Sequence, residues 1–168
     1  MSVLIPNSVT SIGNFAFQGC SNLTCITLPD GVTTIKWGTF EGCSSLTAIT
    51  IPKTVTTIGI HAFAGCSSLS SITIPDGVTY IGESAFEDCI SLTSVTLPNS
   101  LIEIGWSVFK GCKRLTAITI PPSVTEIGIM TFENCTSLTS VTLPNSIPVF
   151  NYPYYFKGTP FLRQRKKK

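Results

Sequence analysis

Residues 46–68 read LTAITIPKTVTTIGIHAFAGCSS, and the same pattern returns at a fixed spacing on both sides. Pro6, Pro29, Pro52, Pro75, Pro98, Pro121 and Pro144 stand one period apart, each step 23 residues. Self-similarity at such a period marks a solenoid, in which one small unit stacks on its own copies. A β-propeller needs repeats of about 40 residues, and an all-helical solenoid needs a 3.6-residue periodicity that this unit lacks.

Within the quoted coil, Ile49 and Ile51 are two apart, the strand period that turns both side chains to one face. Their columns are Ile26 and Leu28, Ile72 and Ile74, Val95 and Leu97, Ile118 and Ile120, Val141 and Leu143. Stacked in register, these segments form a parallel sheet with about 4.8 Å between strands. Each proline follows at the strand's end, where a missing donor is tolerated. Val55 and Ile58 predict a second short extended segment on the other side of the coil. Gly59 is expected to turn the chain, although Lys36 in its column shows that glycine is not obligatory. HAFAGC then reads as about one helical turn, with Phe63 inward. Two residues past each Phe stand Gly19, Gly42, Gly65, Asp88, Gly111 and Asn134. Those three types tolerate the left-handed backbone needed past a turn. The fold class is therefore a repeat solenoid, mainly β with short helical turns.

The pattern LTxITIPxxVTxIGxxAFxGCSS resembles the BspA-like class of leucine-rich repeats, over residues 1 to about 150. The resemblance implies a right-handed, gently curved solenoid with a parallel sheet on its concave side. It also implies a surface protein of the adhesive, protein-binding kind. No catalytic, cofactor-binding or metal-binding residue belongs to the motif, so none is transferred. The departures lie at the ends. Phe156 and Gly158 fall one place late against Phe132 and Asn134, and Thr159 takes a cysteine's place. The aromatic run Phe150–Phe156 reads as a closing cap. The expected division is a solenoid over 1–150, a cap over 151–162 and a basic tail over 163–168. The chain opens in mid-repeat, since Val3, Ile5 and Pro6 match Ile26, Leu28 and Pro29. That suggests a piece of something longer, at the cell surface or outside the cell; otherwise the chain is expected to be cytoplasmic, for it opens without a signal peptide.

Charge narrows the partners. Only 12% of residues are charged, so Ser, Thr, Gly and Asn must cover much of the surface. Five of the eleven basic residues lie in the last six positions. The remaining 162 residues hold six basic and nine acidic groups, a poor match for nucleic acid. No run of 18 apolar residues is present to span a membrane.

Cys20, Cys43, Cys66, Cys89, Cys112 and Cys135 keep the 23-residue period. Stacked side chains point in parallel, which holds their Cβ atoms farther apart than the roughly 3.8 Å that a disulfide prefers. With no CxxC pair and one histidine, the thiols read as small buried apolar groups. Cys25 falls in an outward column and is either a reactive thiol or a small surface residue.

Catalysis has one weak candidate. Glu103 and Glu126 share a column in adjacent coils, near the roughly 5 Å separation of a retaining carboxylate pair. No pocket is implied, and they read as solvated charges. Two surfaces remain as partner sites, which makes another protein the expected partner. Directly after the turning column come Asn14, Trp37, Ile60, Glu83, Trp106 and Ile129. Trp37 beside Ile60, and Trp106 beside Ile129, make an apolar ridge if exposed. The alternative is the concave face with Thr50, Thr73, Thr96 and Thr119, a hydroxyl lattice suited to a glycan or other repetitive ligand, or a plain structural spacer. The unpaired first strand offers a further route, end-to-end self-association.

Overall fold

The computed structural model describes residues 1–148 and 151–165. Phe150, the boundary at 150/151 and the tail residues Lys166–Lys168 lie outside the described residues. From the second coil to the sixth, each coil places two short strands on two walls and closes through a string of tight turns. The first strand is Ala48–Thr50 in the coil quoted above and the second is Thr57–Ile58. Both walls are parallel and in register by one period: Cys25 faces Ala48, Ile26 faces Ile49, and Ile58 faces Ile81.

The second wall is an unbroken five-stranded sheet from Thr34–Ile35 to Glu126–Ile127. The first wall divides into runs of three, two and two strands, with breaks after Ala48–Thr50 and after Ser94–Thr96. Isoleucine, leucine and valine from both walls meet in one core with Phe40, Phe63, Phe86, Phe109 and Phe132. The phenylalanine rings stack nearly parallel. Phe63 and Phe86 are 5.3 Å apart at 2°, and Phe86 and Phe109 are 5.6 Å apart at 7°.

The segment expected to make a helical turn does not form a helix. Its amides alternate in their use. Those of Ala62, Ala64 and Cys66 bond three residues back, to Gly59, His61 and Phe63. Those of His61, Phe63 and Gly65 bond forward, to the carbonyls of Glu83, Ala85 and Glu87 in the next coil. A helix would use every amide internally; here half are committed between coils. The alternation needs left-handed residues. One column is the anticipated one, Gly19, Gly42, Gly65, Asp88, Gly111 and Asn134, all with φ between 55° and 73°. A second column was not anticipated: Phe15, Gly38, His61, Ser84, Ser107 and Met130, with φ of 52° to 59°. Five of its six residues carry a Cβ, at about 1–2 kcal/mol each against an extended or right-handed backbone.

The glycine column before it has a different role from the expected one. Gly59, Gly82, Gly105 and Gly128 carry no left-handed φ; they let coils approach. A Cβ on Gly82 would stand 2.6 Å from the Ile60 amide nitrogen and 2.7 Å from the Gly59 carbonyl carbon. Gly13, in the first coil, has nothing within 4 Å. Turning therefore happens two residues later, and glycine serves close packing.

The cysteines are more than small apolar fillers. Each buried thiol donates to the carbonyl of a phenylalanine in the preceding coil: Cys66 to Phe40 at 3.2 Å, Cys89 to Phe63 at 3.2 Å, Cys135 to Phe109 at 3.0 Å. Burial pushes Cys43 up to about 11 and Cys89 and Cys135 up to about 12, so these thiols stay protonated. All seven cysteines are free, and Cys25 is exposed. Hydroxyls make similar clamps, as in Thr54 to the Val32 carbonyl at 2.8 Å and Ser123 to that of Leu101 at 2.6 Å. The serine and threonine content is thus partly a set of inter-coil donors rather than only a surface coat.

At the C-terminal end, helices α1 (Tyr152–Tyr155) and α2 (Pro160–Arg165) lie over the last coil. Phe156 stacks on Phe132 at 5.1 Å, and Tyr152, Tyr155 and Phe161 are buried around it. The carbonyls of Tyr154, Tyr155 and Lys157 receive the forward amides of Met130, Phe132 and Asn134. Thr159, fully buried in the cysteine place, donates to its own Phe156 carbonyl at 2.7 Å instead of to the coil before.

Candidate partner-binding surfaces

The residue after the close-packed glycine is held between two committed neighbours. Its own carbonyl accepts a forward amide from the previous coil, as in Gly38 to Ile60 and Ser84 to Trp106. With the backbone on both sides fixed, the side chain has only the outside to enter. Trp37 is 49% exposed, Trp106 56% and Ile129 42%. Ile60 is half-buried and Glu83 exposed. The absent Cβ of Gly128 leaves room for the Trp106 ring, which leans onto the sixth coil.

Two further aromatic residues join this column, and sequence columns alone miss both. Phe15 belongs to the neighbouring left-handed column, yet its ring lies 5.2 Å from that of Trp37. Tyr154, 64% exposed, takes the rung beyond Ile129, because the Met130 amide bonds to its carbonyl. The interval from Ile129 to Tyr154 is two residues longer than the repeat, so strict periodicity points at Tyr152, which is buried. The hydrogen-bond direction, not the count, finds it.

On the other wall, Thr50, Thr73, Thr96 and Thr119 are all exposed. Thr50, Thr73 and Thr96, with Pro52, Pro75 and Pro98, line an open groove of about 1160 Å³; Thr119 lies outside it. In the first coil the threonine place is held by Leu4, 77% exposed.

The titratable groups do not converge into a centre for chemistry. Glu103 and Glu126 face each other across paired strands, both exposed. A shallow hollow between coils is lined by Glu41, His61, Glu87 and Asp88. Burial alone would raise the Glu87 carboxyl, but the Lys110 ammonium at 2.8 Å outweighs it and holds the carboxyl below its ordinary value. Lys157 pairs similarly with Glu133 at 3.0 Å. Among the described residues no group of three His, Cys, Asp or Glu side chains could hold a metal ion. No helix among them is long and apolar enough to cross a membrane.

Parallel coils of 23 residues, two strand walls and a phenylalanine stack define a leucine-rich-repeat solenoid. The BspA type leucine rich repeat region matches residues 1–89 and 57–163, in six copies, and the chain belongs to that family. It is similar to a leucine-rich repeat protein from Bacteroides ovatus, with 41% identity and a TM-score of 0.83 over 87% of this chain. The leucine-rich repeat protein of T. pallidum follows, with 34% identity and a TM-score of 0.82 over 86% of this chain. A leucine rich cell surface protein from Faecalibacterium prausnitzii is 33% identical, with a TM-score of 0.62 over 83% of this chain. The chain spans 38%, 70% and 46% of those three structures respectively. No curated protein matches the chain significantly.

Proposed function

We propose that this chain is a non-enzymatic protein-binding module of the adhesion or surface-recognition type, and that its contact surface is the outer ridge of Phe15, Trp37, Ile60, Trp106, Ile129 and Tyr154. The observation that carries the reading is the exposure of two tryptophans held on a rigid backbone. Tryptophan and tyrosine dominate binding hot spots, and contiguous exposed apolar groups favour partner contact. A cell-surface setting is supported by the Faecalibacterium protein described in those words. The test is capture of extracellular-matrix and cell-surface proteins on the immobilised chain. Trp37→Ser/Trp106→Ser should abolish capture and Thr73→Arg/Thr96→Arg should leave it intact. The opposite pattern refutes the ridge.

A second reading rests on the groove over Thr50, Thr73 and Thr96. Its regular hydroxyls would suit a repetitive ligand such as a glycan, and glycan retention lost in Thr73→Arg/Thr96→Arg but kept in the tryptophan variant would favour it. A structural spacer, associating end to end through Ser2–Leu4, would capture nothing and would sediment as larger species at high concentration.

A further inference from the structure

The C-terminal half of the ridge is flanked by carboxylates that form no ion pair among the described residues. Glu83 occupies the rung before Trp106 in the ridge itself, since Ser84 bonds forward to the Trp106 carbonyl. Glu103 and Glu126 stand in register on the second wall, two residues before Gly105 and Gly128. Tyr80 ties the two groups together. It stands in register with Glu103 on the paired strand, and its phenol is pushed up by burial, then by the Glu103 carboxylate and then by that of Glu83. The two ion pairs among the described residues use Glu87 and Glu133 instead. The cation nearest in sequence to the opposite end of the ridge, Lys36, donates to Ser11 at 2.8 Å.

Like charges directly opposite on paired strands are unfavourable for the fold, and a nearby cation would relieve them. Exposed Trp106 and Ile129 follow Glu103 and Glu126 by three residues in their coils, Tyr154 takes the rung beyond Ile129, and Ile102, 50% exposed, precedes Glu103. We infer that this end of the ridge docks a basic polypeptide segment in which lysine or arginine alternates with an apolar residue. The apolar residues would cover Trp106 and Ile129. The cations would meet Glu83, Glu103 and Glu126 and lie against the indole face, where a cation is attracted by the ring. An acidic or uncharged apolar partner would leave three carboxylates desolvated without compensation. The inference rests on the ridge reading and adds the chemistry of the partner.

The experiment is affinity selection of random twelve-residue peptides on the immobilised full chain. The selected peptides are then titrated against the wild type, Trp106→Ser, and Glu83→Gln/Glu103→Gln/Glu126→Gln. All substituted side chains are exposed, and unchanged melting curves check the fold. Selected peptides should be rich in lysine or arginine beside aromatic or aliphatic residues. Trp106→Ser should weaken them about tenfold, as loss of a hot-spot side chain does. The triple glutamine variant should weaken them severalfold and flatten their salt dependence. Peptides lost with Trp106→Ser but indifferent to the glutamines refute the charge inference and leave the ridge standing. Peptides indifferent to both refute the ridge as well, and failure to select any basic peptide overturns the inference.

Discussion

Phe86→Ala tests whether the stacked core binds the coils into one body. Phe86 is fully buried, with Phe63 at 5.3 Å and Phe109 at 5.6 Å on its two faces. Truncating a buried phenylalanine costs about 3–5 kcal/mol through lost burial and the cavity left behind. Each broken ring contact is worth about 0.5–1.5 kcal/mol beyond area, which places this site near the upper limit. With a urea slope of about 2 kcal/mol/M, a loss of about 4–5 kcal/mol lowers the unfolding midpoint by about 2 M. Phe17 provides the internal control. It is half-buried and stacks on one ring, Phe40, at 5.5 Å, so Phe17→Ala should cost about half as much. The assay is urea unfolding followed by circular dichroism and by fluorescence. Trp37 lies before the altered rung and Trp106 after it, so Trp37→Phe and Trp106→Phe backgrounds report the two halves separately. Solenoid stability is a sum of nearest-neighbour terms, so Phe86→Ala should also split the transition between the two reporters. A midpoint shift no larger than that of Phe17→Ala, with the reporters still coincident, would refute the reasoning.

Gly82→Ala should cost about 1–3 kcal/mol by forcing apart two backbones, whereas Gly13→Ala, with open space around it, should stay within about 0.5 kcal/mol; thermal melts compare them. The raised thiol pKa values make stability alkali-sensitive: the unfolded chain ionises its cysteines from near pH 9 while the folded one does not. That contribution is complete below pH 9 and is lost as pH rises toward 11–12, which urea midpoints at pH 8 and 10.5 would register. A disulfide-exchange reagent should modify Cys25 fast, half-buried Cys20 more slowly, and the five buried cysteines only after denaturation. Glu87 has a depressed pKa, so its stabilisation is present above the ordinary carboxylate pKa and fades as pH falls through the folded value. Lys110→Met should remove under about 1 kcal/mol at pH 7, given the partial exposure of both partners, and should remove nothing at pH 2.

The coil was legible because identical environments demand similar residues. Leucine, isoleucine, phenylalanine and cysteine recur wherever the interior recurs, and Asp88 and Asn134 among glycines disclosed a left-handed backbone. What stayed hidden are features that do not constrain residue type. The second left-handed column holds Phe, Gly, His, Ser and Met, because cross-coil hydrogen bonds impose its conformation whatever the side chain. The role of Gly82 was misassigned, since turning and close approach select the same residue. A thiol that packs and one that donates to a carbonyl are the same letter. On the ridge, Trp37 and Trp106 stood out by size in a column of mixed types, while Tyr154 was concealed by a two-residue phase change that only the backbone pairing resolves.

The forward direction of the turn amides gives the molecule a chemical polarity along its axis. In each of the six coils, three amides of the phenylalanine turn look toward the C-terminus, and from the second coil on three carbonyls receive those of the coil before. A stack cut at any level thus exposes donors on one cross-section and acceptors on the other. Bare buried donors are tolerated less than bare acceptors, which have two lone pairs and are often under-satisfied. The donor cross-section is where Tyr154 and Tyr155 of α1, and Lys157 between the two helices, supply three carbonyls. On the opposite cross-section, the carbonyls of Asn14, Ala16 and Gln18 occupy the receiving positions by the same register. The two directions along this solenoid are therefore chemically non-equivalent: the C-terminal-facing donors of the sixth coil are quenched by the segment that follows it, and the N-terminal-facing backbone of the first coil is a pre-spaced row of acceptors matched to the amides of a coil of the same kind.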